Sequence, residues 1–299
     1  MLAKRLEPGG TVGVFCPSHV ADKERYERIF YGIESLGYKV KIGENFYKDT
    51  FGYAASAEER AADLNGLIAD PSVAMVLFSG GEGAAEVLPH IDYGLMRENP
   101  KIISSYSDAT SILNAIHSKT GLTTYYGFGA GQFENLSYYD YLQFNAHFAA
   151  GHKADKFIKG GKWRTLKGGA CEGVLIGGFT LLFALMLAGK YFNYDRGQKY
   201  ILFVEDHINF SKPGMASESL AFIEHSAFMQ NVAGLVVGHY AETAPAEMLD
   251  CLTRFAVRND IPAVYNDDFG HGIRHGVLPI GARAALDADG HELAFIGYE

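Results

Sequence analysis

A serine at position 107 stands in a context that could make it a nucleophile. The segment IISSYSDAT, positions 102–110, holds three serines between a strand pattern and a helix pattern. A nucleophilic serine sits on a sharp strand-to-helix turn, where the residues two before and two after it must be small. Around Ser107 these are Ser105 and Ala109, whereas Ser104 and Ser105 each have an isoleucine two positions earlier. Sterics therefore select Ser107 as the nucleophile candidate, although the local pattern alone favours a helix N-cap.

The loop SGGEG at positions 79–83 could supply donors for the charged oxygen of a reaction intermediate. Its glycine amides carry no side chains, which suits an oxyanion hole that also uses the backbone amide after Ser107. A tight turn between a strand and a helix is the alternative. Because the loop matches neither G-x-G-x-x-G nor a G-K-[ST] motif, we do not expect it to bind phosphate.

An acid and a base for such a serine are also present. Glu205 follows the apolar strand pattern YILFV, although acidic residues at such places are often helix caps. His271 lies between two glycines in DDFGHGIRHG, where an imidazole can project into a cleft, and His275 is its competitor. A zinc site is not expected, because neither H-E-x-x-H nor H-x-E with C-x-x-C occurs.

The elements that would position these residues alternate between strand and helix. Strand patterns such as TVGVFCPS and VAMVLFSGG are separated by helix patterns, one of which starts with a capping box at Ser56 and Glu59. Strict alternation predicts an α/β fold with a parallel sheet and helices on both faces. Ligands of such sheets bind at the carboxyl ends of the strands, where we expect the loops CPSH, SGGEG and SYSDAT to meet.

The length of 299 residues predicts two domains. Residues 1–150 form an N-terminal α/β domain with a parallel, Rossmann- or flavodoxin-like sheet, and this domain carries Ser107. Residues 151–170, rich in Lys and Gly, form a linker. Residues 171–299 form a C-terminal mixed α/β domain, whose last two strands are joined by the turn signal DADG.

Composition argues against several classes of function. The 299 residues carry a formal charge of -9 and no basic run, so nucleic-acid binding is not expected. Three dispersed cysteines without ligand spacing indicate a reducing compartment. The start of the chain fails as a signal peptide, and the uncharged stretch 173–189 is too short to cross a bilayer. We therefore expect a cytoplasmic protein without a membrane partner.

Taken together, these motifs resemble the LD-carboxypeptidase family of serine peptidases, which includes the microcin-C immunity peptidases. The resemblance covers nearly the whole chain, in the family's order and at its rough spacing. The segments that carry it are LEPGGTVGVFCPS, GYAASAEERAADLNGLIADPSVAMVLFSGGEGAAEVLPHIDY, NPKIISSYSDATSIL, GVLIGGFTLLFAL, ILFVED, and FGHG followed by LPIG.

The resemblance implies a Ser-Glu-His triad in the cleft between the two domains. The nucleophile then falls on Ser107, the orienting acid on Glu205 and the base on His271, with the backbone amides of Gly81 and Asp108 as oxyanion donors. It further implies hydrolysis of an L,D-amide bond that releases terminal D-Ala from murein tetrapeptide during cell-wall recycling. No organic cofactor and no metal are implied.

The chain departs from the family pattern around the expected pocket. The family usually has R-G-G-Y-G where this chain has SGGEG, H-G-P where it has YGF, and G-G-N where it has GGF. The departing residues are Ser79, Glu82, Tyr126 and Phe179. Since the triad is kept, these changes predict an altered substrate pocket.

Three functions are open at this point. The first is an LD-carboxypeptidase acting on murein peptides. The second is an immunity-type amidase acting on aminoacyl-nucleotide conjugates, although 299 residues leave little room for the added loop of those relatives. The third is a non-catalytic binder of cell-wall peptides on the same scaffold.

The aromatic-dense run at positions 125–148 has two interpretations. Its Tyr and Phe side chains could line the pocket, or they could pack in the core or at a homodimer contact, which we favour. Trp163, the one tryptophan, could cover the cleft from the linker or be exposed there by chance.

Overall fold

The computed structural model describes residues 1–18, 22–52, 54–207, 212–240 and 246–297, so His19 of the CPSH loop lies outside the described residues. Its strands are β1 Thr11–Phe15, β2 Lys39–Ile42, β3 Val73–Phe78, β4 Ile102–Ser105, β5 Thr124–Tyr126, β6 Arg164–Lys167, β7 Ala170–Phe179, β8 Tyr200–Glu205, β9 Val232–Val237, β10 Ala263–Tyr265, β11 Leu278–Ile280, β12 Arg283–Asp287 and β13 Glu292–Ile296. Its helices are α1 Lys23–Ser35, α2 Ala57–Ala69, α3 Tyr93–Glu98, α4 Thr110–Thr120, α5 Tyr138–Phe144, α6 Thr180–Met186, α7 Pro213–His225 and α8 Ala246–Arg258.

The first sheet has the strand order β11-β5-β4-β3-β1-β2. Strands β1 to β5 pair in parallel, and β11 is antiparallel to β5. β4 is buried along its whole length, as expected for an inner strand of a parallel sheet, whereas the edge strand β2 exposes Lys39 and Lys41. The predicted parallel α/β sheet is confirmed, and the predicted capping box at the start of α2 is present.

The second sheet is mixed and has the order β13-β12-β7-β8-β9-β10-β6. Its inner strands β7 to β10 run in parallel, while β12, β13 and β6 are antiparallel to their neighbours. β8 is buried at every position, and the register pairs its last residue, Glu205, with Phe179 at the end of β7. The predicted mixed α/β architecture is therefore confirmed.

Two strands pair across the predicted domain boundaries. β11 lies within 171–299 but extends the first sheet beside β5. β6 lies within 151–170 but pairs with β10 in the second sheet. The sequence patterns did not indicate these partners, because β11 has three residues and β6, RTLK, is largely polar. The domain boundaries themselves stay a prediction.

Most aromatic side chains of the run 125–148 pack in the core, although Tyr138 and Tyr141 are exposed. Tyr125, Tyr126 and Phe148 are fully buried, and the rings of Tyr125 and Phe148 meet edge-on with centroids 5.1 Å apart. Two glycines of this run, rather than its rings, line the large cleft described below. The core interpretation of these side chains is thus confirmed.

Trp163 is buried, so the alternative in which it is exposed by chance is wrong. Its side chain packs against Phe157 with ring centroids 5.6 Å apart. Its Nε1 donates a hydrogen bond to Oδ2 of Asp268 at 3.1 Å. An indole is stable in a core when its N–H has such a partner.

Among the described residues, no helix is both long and apolar enough to span a membrane. The uncharged stretch 173–189 is divided between β7 and the seven-residue helix α6, which begins at Thr180. The chain turns from strand to helix within this stretch. The stretch is hydrophobic because residues of both elements pack in the core.

Candidate active site

Ser107 lies on a sharp turn between β4 and α4. Its φ is +61°, in the left-handed region that residues with a Cβ rarely adopt. Ser105 and Ala109, two residues before and after it, are buried, as the steric argument from the sequence requires. The turn therefore has the geometry of a nucleophile elbow.

The N-cap interpretation of Ser107 is wrong. An N-cap residue has an extended backbone, and its side chain accepts a hydrogen bond from the first helical turn. Helix α4 has Ala109 at its N-cap and no side-chain cap. The Oγ of Ser107 lies instead 2.8 Å from Nε2 of His271.

A continuous relay links Ser107, His271 and Glu205. From Nε2 of His271 the relay continues through Nδ1, which lies 2.7 Å from Oε2 of Glu205. The serine comes from the turn after β4, the histidine from the loop after β10 and the glutamate from the end of β8. Such a chain can move a proton from the hydroxyl to the imidazole while the carboxylate orients the ring.

Glu205 is fully buried, and hydrogen bonds reach both of its carboxylate oxygens. Its Oε2 also accepts from the backbone N–H of His271 at 3.2 Å, and its Oε1 accepts from the hydroxyl of Tyr126 at 2.5 Å. These bonds offset the cost of burying a charge. Gly270 makes the approach possible, because it has φ +99° and a Cβ there would lie 2.6 Å from Oε2 of Glu205.

Tyr126 joins the nucleophile turn to the acid. The register of β4 and β5 places it beside Ser105. Its hydroxyl donates to Glu205 and accepts a hydrogen bond from the backbone N–H of Ser107 at 2.9 Å. The Tyr126 hydroxyl therefore binds the backbone N–H of Ser107 and the carboxylate of Glu205 at once. It stabilises the left-handed turn and also positions the acid.

Gly81 and Asp108, the expected oxyanion donors, line the same cleft as Ser107. The Asp108 side chain is buried, and its Oδ2 accepts hydrogen bonds from Oγ of Ser18 and the backbone N–H of Ala84, both at 2.7 Å. Burial raises the pKa of this carboxyl, and the two hydrogen bonds act in the opposite direction. The Asp108 carboxyl therefore ties the glycine loop to the serine turn.

A cleft of about 990 Å³ lies over the relay and is lined by residues of both sheets. Of the four departures from the family pattern, Ser79, Glu82 and Phe179 line it. The ring of Phe179 meets that of His271 edge-on, with centroids 5.7 Å apart. Tyr126 lies behind the relay rather than on the cleft wall, so the departures affect both the pocket and the support of the relay.

His275, the competing base, is engaged elsewhere. Its backbone N–H and its Nδ1 lie 3.1 and 3.2 Å from Oδ1 of Asp140. The ring of Tyr106 separates the two histidines, with centroids 5.7 Å from His275 and 5.3 Å from His271. Within the part of the chain that the structure describes, no group of three or more His, Cys, Asp or Glu is arranged to hold a metal.

The protonation of His271 gives an expected pH dependence. Burial lowers the pKa of this imidazole, but the Glu205 carboxylate raises it by charge and hydrogen bonding, and the net shift is upward. A general base acts in its neutral form, so activity is lost at a higher pH than with a free imidazole, whose pKa is about 6.5. We expect kcat/KM to fall as the pH decreases, along a single acidic limb of the pH profile with its midpoint above about pH 6.5. The measurement is the rate of hydrolysis over a pH series.

Asp206 provides the control for this limb. Its side chain is buried, and burial raises its pKa to about 7, close to the expected limb. Asp206→Asn should move the limb only slightly downward, because the Asp206 charge is the weakest of the influences on His271. Disappearance of the limb in this variant would assign the titration to Asp206 and contradict the prediction.

Sequence reasoning missed three contacts of the site. Tyr126 was assigned to an aromatic run, because nothing local indicates that its hydroxyl meets Glu205. Nothing local indicates the partner of the Asp108 carboxyl, because Ser18 is far away in sequence. The hydroxyl of Thr110 donates to the carbonyl of Ser107 at 2.6 Å, and that contact depends on the left-handed turn.

Two family models match the chain. The model for the LD-carboxypeptidase N-terminal domain matches residues 12–127, and that for the LD-carboxypeptidase C-terminal domain matches residues 172–286. The chain is similar to a probable murein peptide carboxypeptidase of Bacillus subtilis, with 30% identity over 95% of this chain and 91% of that protein.

Two further proteins are similar to the chain. It is 26% identical to the microcin C7 self-immunity protein MccF of Escherichia coli, over 98% of this chain and 95% of that one. Its fold is similar to the crystal structure of muramoyltetrapeptide carboxypeptidase from Oxalobacter formigenes, with a TM-score of 0.80, 22% identity, and coverage of 95% of this chain and 98% of that one.

Proposed function

Because this chain belongs to the LD-carboxypeptidase family of serine peptidases, we propose that it cleaves an L,D-amide bond and releases terminal D-Ala from murein tetrapeptide. The chain is a serine hydrolase, so we do not retain the hypothesis of a non-catalytic binder. In the same proposal the enzyme works in the cytoplasm, in cell-wall recycling, as a homodimer and without a cofactor.

The proposed reaction proceeds through an acyl-enzyme. Oγ of Ser107 attacks the carbonyl carbon of the L-residue, and Nε2 of His271 takes the hydroxyl proton. The backbone N–H groups of Gly81 and Asp108 stabilise the negative oxygen of the tetrahedral intermediate. The C–N bond then breaks as His271 gives its proton to the departing amine of the D-residue. Water, deprotonated by His271, hydrolyses the ester and restores the serine.

One observation carries this proposal: a hydroxyl, an imidazole and a buried carboxylate are joined at 2.8 and 2.7 Å beneath an open cleft. The strained backbone of Ser107 supports it, because left-handed non-glycine residues are concentrated at functional sites. A cleft volume near 990 Å³ suits a short peptide rather than a folded protein substrate.

The stereochemistry of the released residue tests the proposal. Purified protein should release D-Ala from an L,D-linked murein tetrapeptide, detected by mass spectrometry or a coupled D-amino-acid assay. The matched control is the same peptide ending in L-Ala, from which we expect no release. No D-Ala above the level given by Ser107→Ala protein would refute the substrate assignment.

The second candidate is an immunity-type amidase that cleaves aminoacyl-nucleotide conjugates. The similarity to the microcin C7 self-immunity protein over nearly the whole chain favours it. If this candidate is right, the protein hydrolyses an aminoacyl-nucleotide conjugate in preference to the tetrapeptide at equal concentration. A competition assay with both compounds in one reaction therefore separates the two functions.

A further inference from the structure

Arg25 places a positive charge on the wall of the cleft. It lies in the first turn of α1 and is the one arginine or lysine among the described residues that line the cleft. Half of its side chain, 50%, is exposed to solvent. A guanidinium binds carboxylates through paired, charge-assisted hydrogen bonds, and every carboxypeptidase substrate ends in a carboxylate.

A shared carboxylate holds Arg25 in this place. Its Nε donates to Oε2 of Glu134 at 2.8 Å, while Arg28, about one helical turn later, donates to Oε1 from Nε and Nη2 at 3.0 and 2.8 Å. Hydrogen bonds from Arg25 and then from Arg28 lower the pKa of Glu134. Two guanidinium groups thus share one carboxylate, so the group of three side chains has an excess of positive charge. Arg25 contacts Glu134 through its Nε only.

The outer end of Arg25 lies on the part of the wall that leads to the relay. A Cβ at Gly131 would come within 3.4 Å of Nη2 of Arg25, so Gly131 places this nitrogen at the cleft. The next residue, Gln132, donates from Nε2 to the hydroxyl of Tyr106 at 3.4 Å. The Tyr106 ring in turn meets that of His271. The wall is therefore continuous from the guanidinium to the proposed base.

The other exposed charges of the cleft are negative. Glu82 and Glu86 lie on and beside the glycine loop, and Glu86 pairs with Arg60. A carboxylate of a bound peptide is repelled mainly by Glu82, because Arg60 compensates the charge of Glu86, and it is attracted by Arg25. The charge distribution thus gives an anionic substrate group one favourable position in the cleft.

We propose that Arg25 binds a carboxylate of the peptide substrate and fixes its direction in the cleft. This inference rests on the proposed function, because it takes the ligand to be a peptide with a free carboxylate. Two sources of that group are compatible with the site: the C-terminal carboxylate of the departing D-residue, and a carboxylate nearer the other end of a murein peptide. Both are bound by the same guanidinium chemistry.

The matched variants Arg25→Gln and Arg28→Gln test the inference. Each variant removes one guanidinium from Glu134, so their structural effects are comparable, but only Arg25 faces the cleft. For Arg25→Gln we expect KM for the tetrapeptide to rise about 10-fold to 100-fold with kcat changed less than about threefold, because a binding contact is lost. Arg28→Gln should keep KM within about twofold. Equal KM changes in the two variants would overturn the inference.

A peptide series identifies which carboxylate is bound. The series compares two modified tetrapeptides. One carries an amide in place of the C-terminal carboxylate, and the other carries an amide in place of an internal carboxylate. Amidation of the bound carboxylate should raise KM for the wild-type protein and produce no further rise in Arg25→Gln. If the effect of Arg25→Gln persists in full on every amidated peptide, carboxylate binding by Arg25 is excluded.

Binding to Ser107→Ala protein separates this inference from the proposed function. Calorimetry of this inactive variant with the tetrapeptide measures affinity without turnover. Wild-type protein that does not hydrolyse the peptide would contradict the proposed function. The Arg25 site is still supported in that case if Ser107→Ala binds the peptide and Ser107→Ala/Arg25→Gln binds it with about tenfold lower affinity. Equal affinity of the single and double variants would overturn the Arg25 site, whatever the turnover result.

Discussion

Replacement of Ser107 by alanine should reduce kcat by roughly 10³-fold to 10⁶-fold, the range seen when a nucleophile that acts with a histidine and an acid is removed. The physical reason is that no other group takes the place of Oγ, which lies 2.8 Å from His271 on the cleft. The measurement is release of D-Ala under single-turnover conditions. Thermal unfolding should change little, since alanine keeps the Cβ and the same strained backbone.

Ser111→Ala is the matched control for this prediction. Ser111 is buried in α4, close to the nucleophile, and its Oγ donates to the carbonyl of Asp108 at 3.2 Å. Its loss should leave kcat within a few-fold of the wild-type value. If Ser107→Ala retains kcat similar to that of Ser111→Ala, the nucleophile lies elsewhere.

Ser107→Gly adds a stability measurement to the same experiment. A left-handed residue with a Cβ is strained by about 1 kcal/mol relative to glycine. The glycine variant should therefore be inactive and about 1 kcal/mol more stable to unfolding than Ser107→Ala. The difference is read from denaturant titrations of the two proteins.

Replacement of Glu205 by glutamine should lower kcat by roughly 10³-fold to 10⁴-fold, although the side chain keeps its shape. The carboxylate accepts a hydrogen bond from the Nδ1–H of His271, which leaves Nε2 unprotonated toward the serine. Glutamine carries no charge, so it no longer stabilises the imidazolium that forms when His271 takes the proton of Ser107. The loss should appear in kcat rather than in KM.

The pH profile of Glu205→Gln gives a second readout. The charge of Glu205 raises the pKa of His271, so its removal should shift the acidic limb of the residual activity to lower pH. Glu172→Gln, an exposed substitution on β7, serves as the control and should change neither kcat nor the limb. An unchanged limb in Glu205→Gln would show that Glu205 does not act on the base.

The architecture could be predicted because its signals are local. Alternating apolar strands and capped helices are visible within short windows, and both sheets confirm them. Within the candidate site, small residues around Ser107 indicated a sharp turn, which the structure has, but the Tyr126 hydroxyl that accepts from the Ser107 backbone N–H comes from a different strand. Spacing alone gave no means of choosing between an N-cap and an elbow there.

Other parts of the site depend on pairings between distant segments. Tyr126 meets Glu205 across 79 residues, and Ser18 meets Asp108 across 90. Trp163 bonds to Asp268 because β6 pairs with β10 in the second sheet, although the sequence around Trp163 is typical of a linker. A single sequence carries no record of such contacts, so the supporting residues emerged only with the fold.

The crossing of β11 into the first sheet sets the order in which the enzyme can mature during its synthesis. A nascent chain that has left the ribosome as far as Glu205 already contains the serine and the acid, yet the histidine and the edge strand Leu278–Ile280 are still to be translated. Until they emerge, the first sheet lacks its edge strand β11 and Ser107 lacks the imidazole of His271. Under the proposed mechanism, the growing polypeptide therefore cannot hydrolyse a peptide before the segment with His271 and β11 has folded onto the part made first.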